Sequence, residues 1–104
     1  MTEQETVDLY VIARLDDIDN VAVADLFTTE LFFTPDGTLD GRGVGSWWES
    51  VSTTHGEPVT LEALDGTLAT CGYVRIGEWR KRVTAAGKIR FFADAVTRLE
   101  ALHS

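Results

Sequence analysis

Two side chains in this sequence, Asp94 and His55, have surroundings that could support acid–base chemistry. Asp94 lies in the run FFADAV, between apolar side chains. Because desolvation disfavours the charged form, a carboxyl buried there would keep its proton and could donate a hydrogen bond or act as a general acid. His55 falls in a predicted loop, where an imidazole could serve as a base near neutral pH. The alternatives are an outward-facing acid on a half-exposed strand and a solvated loop histidine.

Aromatic residues supply the other candidates for a binding site. In an apolar cavity, the phenol of Tyr10 would be a preorganised hydrogen-bond donor. The alternative is a core tyrosine whose hydroxyl reaches the surface. The single cysteine, Cys71, lies in an apolar run and is predicted to be a buried core residue. The side chains expected to line a pocket for a small apolar organic ligand are Phe33, Trp48, His55, Trp79 and Phe92.

Composition narrows the classes of partner. The 104 residues are expected to form a single domain over positions 1–104. The formal net charge of −8 argues against nucleic acid and against an anionic membrane surface. One cysteine and two distant histidines predict neither a metal site nor a cofactor. The N-terminus is acidic and polar, unlike a signal peptide, and no apolar run approaches the ~20 residues of a membrane helix, so we expect a cytoplasmic protein.

Helices are predicted in the first half of the chain. Apolar side chains at three- and four-residue steps from Val7 to Ile18 indicate an amphipathic helix that begins near Thr2. An acidic corner over 16–20 would separate it from a second helix over 21–27. A third helix is predicted over Val44–Val51, with the GxGxG run that precedes it forming a loop-to-helix turn.

Strands are predicted in the remainder. A short strand over Leu31–Thr34 is stopped by the turn formers Pro35-Asp36-Gly37. A meander would follow, with strands over 58–64, 67–83 and 88 to about 102, joined at Asp65-Gly66 and Ala85-Ala86-Gly87. Helices first and strands last indicate an α+β fold with a mostly antiparallel sheet.

The segment YVIARLDDIDNVAVADLFTTELFFTPDGTLDGRG resembles the nuclear transport factor 2-like superfamily, particularly its SnoaL-like and ketosteroid-isomerase-like members. The resemblance is clearest over Leu9–Trp48. It implies a cystatin-like cone in which N-terminal helices pack on a curved, mostly antiparallel sheet around an apolar cavity, often in homodimers. The chain resembles a shortened member: either the family's final strand is missing or an earlier one is, and a dimer partner could cover the edge left open.

The resemblance also implies an activity. Tyr10 stands where ketosteroid-isomerase-like enzymes carry an oxyanion-binding tyrosine, and Asp94 matches their second donor if the final strand is the missing one. Thr34 takes the place of their catalytic aspartate, which argues against steroid-type isomerisation. We therefore expect a cofactor-free isomerase, cyclase, dehydratase or epoxide hydrolase acting on an apolar metabolite. Tyr10 and Asp94 would be its catalytic pair. The alternative is a non-catalytic ligand-binding, dimerisation or protein-docking domain.

Overall fold

A five-stranded antiparallel sheet with one helix packed on it forms the structure. The computed structural model describes residues 6–98, except the side chains of Leu31 and Arg42. The strand order is β3-β2-β1-β5-β4, which places β1 at the centre and β3 and β4 at the two edges. The elements in chain order are β1 (Thr6–Arg14), β2 (Val23–Phe33), β3 (Leu39–Ser52), α1 (Leu61–Thr70), β4 (Tyr73–Val83) and β5 (Ile89–Arg98).

The predicted cone with N-terminal helices is wrong, because most of the described residues assigned to those helices lie in strands and the rest lie in the connection between β1 and β2. In β1, Leu9, Val11 and Ala13 are fully buried and alternate with half-buried residues, which is the period of a strand. Nearly every position of this segment is apolar or β-branched, so residues at helical spacing are apolar as well. The same ambiguity misassigned residues 21–27, which lie in β2 from Val23 onward, and Val44–Val51, which lies in β3. The predicted start near Thr2 lies outside the described residues.

The helix lies where the sequence indicated a strand and a hairpin. Thr60 caps α1 by accepting a 3.1 Å hydrogen bond from the backbone N–H of Ala63. Leu64 and Leu68 form its buried side, at the four-residue spacing of one helix face. Asp65-Gly66 is therefore inside a helix and is not a turn, and the predicted strand over 67–83 begins only at Tyr73.

Both predicted glycine turns outside the helix are confirmed. Gly37 and Gly87 adopt φ values of +88° and +81° at the tips of the β2–β3 and β4–β5 hairpins. The last predicted strand is also confirmed over Ile89–Arg98, and the part of it beyond residue 98 lies outside the described residues. The GxGxG run, by contrast, belongs to β3 and is not a loop.

The sheet curls around the side on which α1 packs. Trp48 on edge strand β3 donates a 3.1 Å hydrogen bond from Nε1 to the hydroxyl of Tyr73 on the opposite edge strand, β4. In a flat five-stranded sheet the backbones of these edge strands would lie about 19 Å apart, farther than the two side chains can bridge. Register shifts at three points of the β2–β3 pairing supply the bending. The curled sheet and α1 together enclose the core, whose largest fully buried side chains include Leu9, Leu26, Leu64 and Leu68.

Candidate functional site

The side of the sheet that faces away from α1 carries a second, exposed set of apolar residues, which we call the open face. Its members alternate along each strand with residues of the buried core. The apolar residues of the open face are Tyr10, Ile12, Phe27, Trp47, Val74, Ile76, Phe92 and Val96.

The open face is continuous across all five strands. Trp47 on β3 is 63% exposed, and Val74 and Ile76 on β4 are 61% and 50% exposed. At the centre, the rings of Tyr10 and Phe92 meet edge to face, with centroids 5.9 Å apart and an interplanar angle of 74°. Exposed apolar residues are usually scattered singly on a monomer, so this grouping makes the open face the candidate functional site.

Charged side chains of both signs lie among these apolar residues and pair with each other. Arg14 Nη1 lies 2.7 Å from Asp25 Oδ2, and Arg80 Nη1 lies 4.0 Å from Asp94 Oδ2. Asp25 also accepts a 2.6 Å hydrogen bond from the hydroxyl of Ser50. Two ion pairs therefore compensate charge at the centre of the open face, in a chain whose formal net charge is −8.

The predicted catalytic pair is brought together by the sheet. Tyr10 on β1 and Asp94 on β5 are directly opposite partners, so their side chains leave the same face side by side. They lie on the open face, where the Asp94 side chain is 38% exposed and Arg80 is its nearest cation. An oxyanion site needs donors aimed into a space from which water is excluded, and this open surface does not provide one.

The predicted ligand-binding residues are separated. Phe92 lies on the open face, whereas Trp48 and Trp79 pack against the core on the α1 side of the sheet. Phe33 is at the exposed end of β2, and His55 is exposed in the connection between β3 and α1. These side chains do not line one pocket.

Cys71 was also predicted wrongly. It is exposed at the C-terminal cap of α1 and is not a core residue. The apolar run in which it lies changes from helix to strand at this point, and the side chains that the run buries are Leu68 and Tyr73.

A hydrogen-bonded cluster ties the α1 side of the sheet together. The Tyr73 hydroxyl donates to the carboxylate of Glu49 and accepts from Trp48. Burial and the hydrogen bond to Glu49 raise the pKa of Tyr73 to about 12. Trp48 and Glu49 are adjacent in sequence, yet both bond the Tyr73 hydroxyl. The register shift between Leu26 and Phe27 brings them to the same side of β3. This cluster joins β3 to β4 and closes the curl of the sheet.

A second cluster joins α1 to β4. Arg75 donates two hydrogen bonds to the carboxylate of Asp65, at 2.8 and 3.0 Å, and lies over the ring of Trp79 with its guanidinium carbon 5.4 Å from the ring centroid. Trp79 Nε1 donates to the same carboxylate at 3.1 Å. The Asp65 carboxylate of α1 is therefore held on the sheet by two side chains of β4.

Neither a metal site nor a membrane helix is found between residues 6 and 98. No three His, Cys, Asp or Glu side chains of this range come together as metal ligands would. The ten-residue α1 is the longest helix in the range and is too short to span a bilayer.

Sequence reasoning missed three of the most exposed members of the open face, Trp47, Val74 and Ile76. The signal that could have found them is the presence of apolar residues at both odd and even positions of neighbouring segments. In β1, Leu9 and Val11 alternate with Tyr10 and Ile12, which marks a strand with two apolar sides.

No protein-family model, curated protein or solved structure matches this chain. What the chain does must therefore be inferred from its own geometry.

Proposed function

We propose that this chain is a non-catalytic protein-binding domain that uses its open face to bind an apolar surface of another protein. The observation that carries the proposal is the presence of exposed apolar side chains on all five strands of one face, three of them at least half exposed. Burying such a surface is favourable at about 25 cal/mol per Å² of apolar area. The chain's own helix already covers the other side of the sheet, so the partner must come from outside the described residues.

The size of the open face suits a protein partner better than a small molecule. Five strands about 4.8 Å apart, over the nine residues of the shortest strand at about 3.3 Å per residue, span about 24 by 30 Å measured along the curled sheet. Its area of about 700 Å² is close to the roughly 800 Å² that each partner contributes to an interface of standard size. A small ligand instead needs a concave site that surrounds most of its surface.

The small-molecule enzyme that the resemblance implied stays a prediction. One observation favours it, namely that Tyr10 and Asp94 are opposite each other on neighbouring strands. The open setting of the pair and the separation of the predicted pocket residues favour binding over catalysis.

Binding of a hydrophobic fluorescent dye of the anilinonaphthalene sulfonate type tests the proposal. In dilute solution the dye should bind the open face, and the double variant Val74→Lys/Ile76→Lys should lose most of the fluorescence increase. The matched control is Ile18→Lys, because Ile18 is 96% exposed but lies in a loop away from the sheet. Equal dye binding by a monomeric, folded double variant and the wild type would overturn the proposal.

A further inference from the structure

The β4–β5 hairpin is basic, whereas the rest of the chain is acidic. Residues Arg80–Arg90, which form the facing ends of the two strands and the turn between them, contain five of the nine Lys and Arg residues and neither Asp nor Glu. The remaining residues hold four cations against all seventeen acids. We call Arg80–Arg90 the basic hairpin. Cations gathered in this way create a positive local field on a protein whose formal net charge is −8.

Three arginines of the basic hairpin lie on the open face. Arg80 on β4 is directly opposite Phe92, whose ring contacts Tyr10 on that face. Arg82 lies two residues further along β4 and is directly opposite Arg90 on β5. Because side chains alternate along a strand, the side chains of Arg80, Arg82 and Arg90 leave the same side of the sheet. They form a cluster of cations at one end of the apolar residues.

The acids of the chain neutralise this cluster only in part. Asp16 lies 3.1 Å from Arg90 Nη1, and Asp94 forms a longer ion pair, 4.0 Å from Arg80 Nη1. Arg82 is exposed, and no acid between residues 6 and 98 forms an ion pair with it. Its direct partner across the strands is a like charge, which is a destabilising arrangement. The fold therefore holds a guanidinium beside other cations without an acid of its own.

Protection of the sheet edge does not account for the cluster. Charged side chains on an edge strand hinder pairing with the edges of other chains, and β4 is such a strand. However, Arg90 lies on β5, which is an inner strand between β1 and β4. The β4 edge is also interrupted by the register shift between Ile76 and Arg80 and by Gly77, whose φ is +77°. The arginines therefore indicate a further role.

We infer that Arg80, Arg82 and Arg90 form the part of the open face that binds carboxylates of the partner, so that the partner presents an acidic segment beside its apolar surface. The inference rests on the proposed function, since it specifies the chemistry of the partner for the same face. A guanidinium can donate two parallel hydrogen bonds to one carboxylate, and arginines are enriched where proteins bind each other. Phe92 lies directly beside Arg80 and supplies the adjoining apolar contact.

A protein segment fits this site better than a nucleic acid does. The cluster is small and is bordered by Asp16 and Asp94. A polyphosphate that continued across the open face would meet these acids and Asp25, and outside the basic hairpin the chain has four cations for seventeen acids. A short run of Asp or Glu can be confined to the arginines, with apolar residues of the partner at the next positions.

The test is fluorescence anisotropy with three labelled probes at physiological salt. The first probe is a short peptide of glutamate and leucine, the second replaces each glutamate by glutamine, and the third is a single-stranded oligothymidylate of similar length. The glutamate peptide should bind most tightly. At this ionic strength the Debye length is about 8 Å, so a chain with a formal net charge of −8 attracts an anion only through a local site.

Arg82→Gln should raise the dissociation constant of the glutamate peptide about tenfold, because it removes charge-assisted hydrogen bonds to a carboxylate. Arg80→Gln should weaken binding as well. The melting temperature of Arg82→Gln should not fall, because the substitution removes one of two like charges that face each other. A loss of binding with retained stability cannot come from unfolding.

The matched control is Lys81→Gln. It removes the same charge from the neighbouring residue of β4, which is directly opposite Phe91, a residue that packs against the core on the other side of the sheet. It should change the dissociation constant by less than about twofold. Equal losses for Arg82→Gln and Lys81→Gln would overturn the inference, because general charge would then explain both.

Three other results would also overturn it. The first is a wild type that binds no glutamate peptide. The second is tighter binding of the oligothymidylate than of the glutamate peptide, which would make the cluster a polyphosphate site. The third is self-association of the wild type, measured by sedimentation equilibrium, that is lost in Arg82→Gln, because the acids of a second copy would then occupy the site.

The proposed function and this inference can fail separately. Loss of dye binding in Val74→Lys/Ile76→Lys, together with no binding of the glutamate peptide, would leave the open face as a binding surface for a partner without an acidic segment. Peptide binding that depends on Arg82, together with unchanged dye binding in the double variant, would overturn the proposed function and leave the arginine cluster as a carboxylate site by itself.

Discussion

The two faces of this sheet are both apolar, but they are built from side chains of different size and reach. On the α1 side, small residues such as Ala13, Ala24 and Ala95 are fully or almost fully buried, and they let Leu64 and Leu68 of the helix approach the strands. On the open face, the side chains at the centre are the large rings of Tyr10, Phe27 and Phe92, and none of these is fully buried. The same strands therefore carry one face fitted to their own helix and another that projects toward solvent.

The two faces also differ in their polar groups. On the α1 side, the Thr53 hydroxyl accepts a 3.0 Å hydrogen bond from the buried N–H of Ala22, and the Thr97 hydroxyl donates a 2.9 Å bond to the carbonyl of Gly72. On the open face, paired charges remain in contact with solvent. The buried polar side chains of the face completed within the chain, Thr53 and Thr97, are neutral and hydrogen-bonded, because an unpaired polar group buried there is costly. A face completed by a partner can keep exposed ions that help it to recognise that partner.

Removing apolar volume from each face should give the largest contrast. Leu64→Ala should lower the free energy of unfolding by about 2–5 kcal/mol, because Leu64 is fully buried and its removal leaves a cavity. Ile76→Thr, on the half-exposed open face, should change it by no more than about 0.5 kcal/mol in the monomer. Urea unfolding in dilute solution measures both values. Similar losses for the two variants would mean that the chain itself buries the open face.

The Tyr73 hydroxyl tests the hydrogen bonds that close the curled side of the sheet. Tyr73→Phe should cost about 1–3 kcal/mol near neutral pH, because Trp48 loses its acceptor and Glu49 loses its donor. The control is Tyr10→Phe on the open face, which should cost less.

The same residue gives the alkaline dependence of stability. The folded protein holds the pKa of Tyr73 at about 12, above its ordinary value of 10.0, so folding favours the protonated phenol. This contribution is complete below pH 10 and is lost as the pH rises toward 12. The free-energy difference between the wild type and Tyr73→Phe should therefore shrink over that interval in urea titrations. A difference that stays constant with pH would contradict this account.

Two glycines of β3 test how tightly the strand crosses β2. A Cβ added at Gly45 would lie 2.5 Å from Thr28 Oγ1 and 2.9 Å from the Thr28 carbonyl oxygen, whereas one added at Gly41 would meet nothing within 4 Å. Gly45→Ala should destabilise the chain by about 1–3 kcal/mol through this overlap, and Gly41→Ala should be close to neutral. Thermal unfolding of the two variants side by side decides the matter, and equal melting temperatures would contradict the close approach at Gly45.

Removing the cap of α1 should give the smallest loss of stability among the variants on the α1 side of the sheet. Thr60→Ala removes the 3.1 Å hydrogen bond to the N–H of Ala63 and should cost about 1 kcal/mol. Thr60→Ser is the matched control, because it keeps the hydroxyl and should retain most of the stability. If both variants lose the same amount in denaturant unfolding, the hydroxyl does not cap the helix.

Local signals in the sequence predicted the turns and the final hairpin correctly. Pro35-Asp36-Gly37 and Ala85-Ala86-Gly87 specify their turns through residues that adopt unusual backbone angles within a few positions. The strand over Ile89–Arg98 shows alternation strong enough to be identified by itself. Asp65-Gly66 was misleading because its hairpin signal lies within a segment that the cap at Thr60 and the buried Leu64 and Leu68 make helical.

The sequence by itself determined that this chain is acidic, is rich in apolar residues at both odd and even positions, and turns at Gly37 and Gly87. It also placed Tyr10 and Asp94 in apolar segments. Only the tertiary structure decided that those segments are strands, because apolar residues on both sides of a strand also satisfy the spacing of a helix. It also decided that Tyr10 and Asp94 are neighbours on an open surface, since residues 84 positions apart in the chain become neighbours only through the register of the sheet.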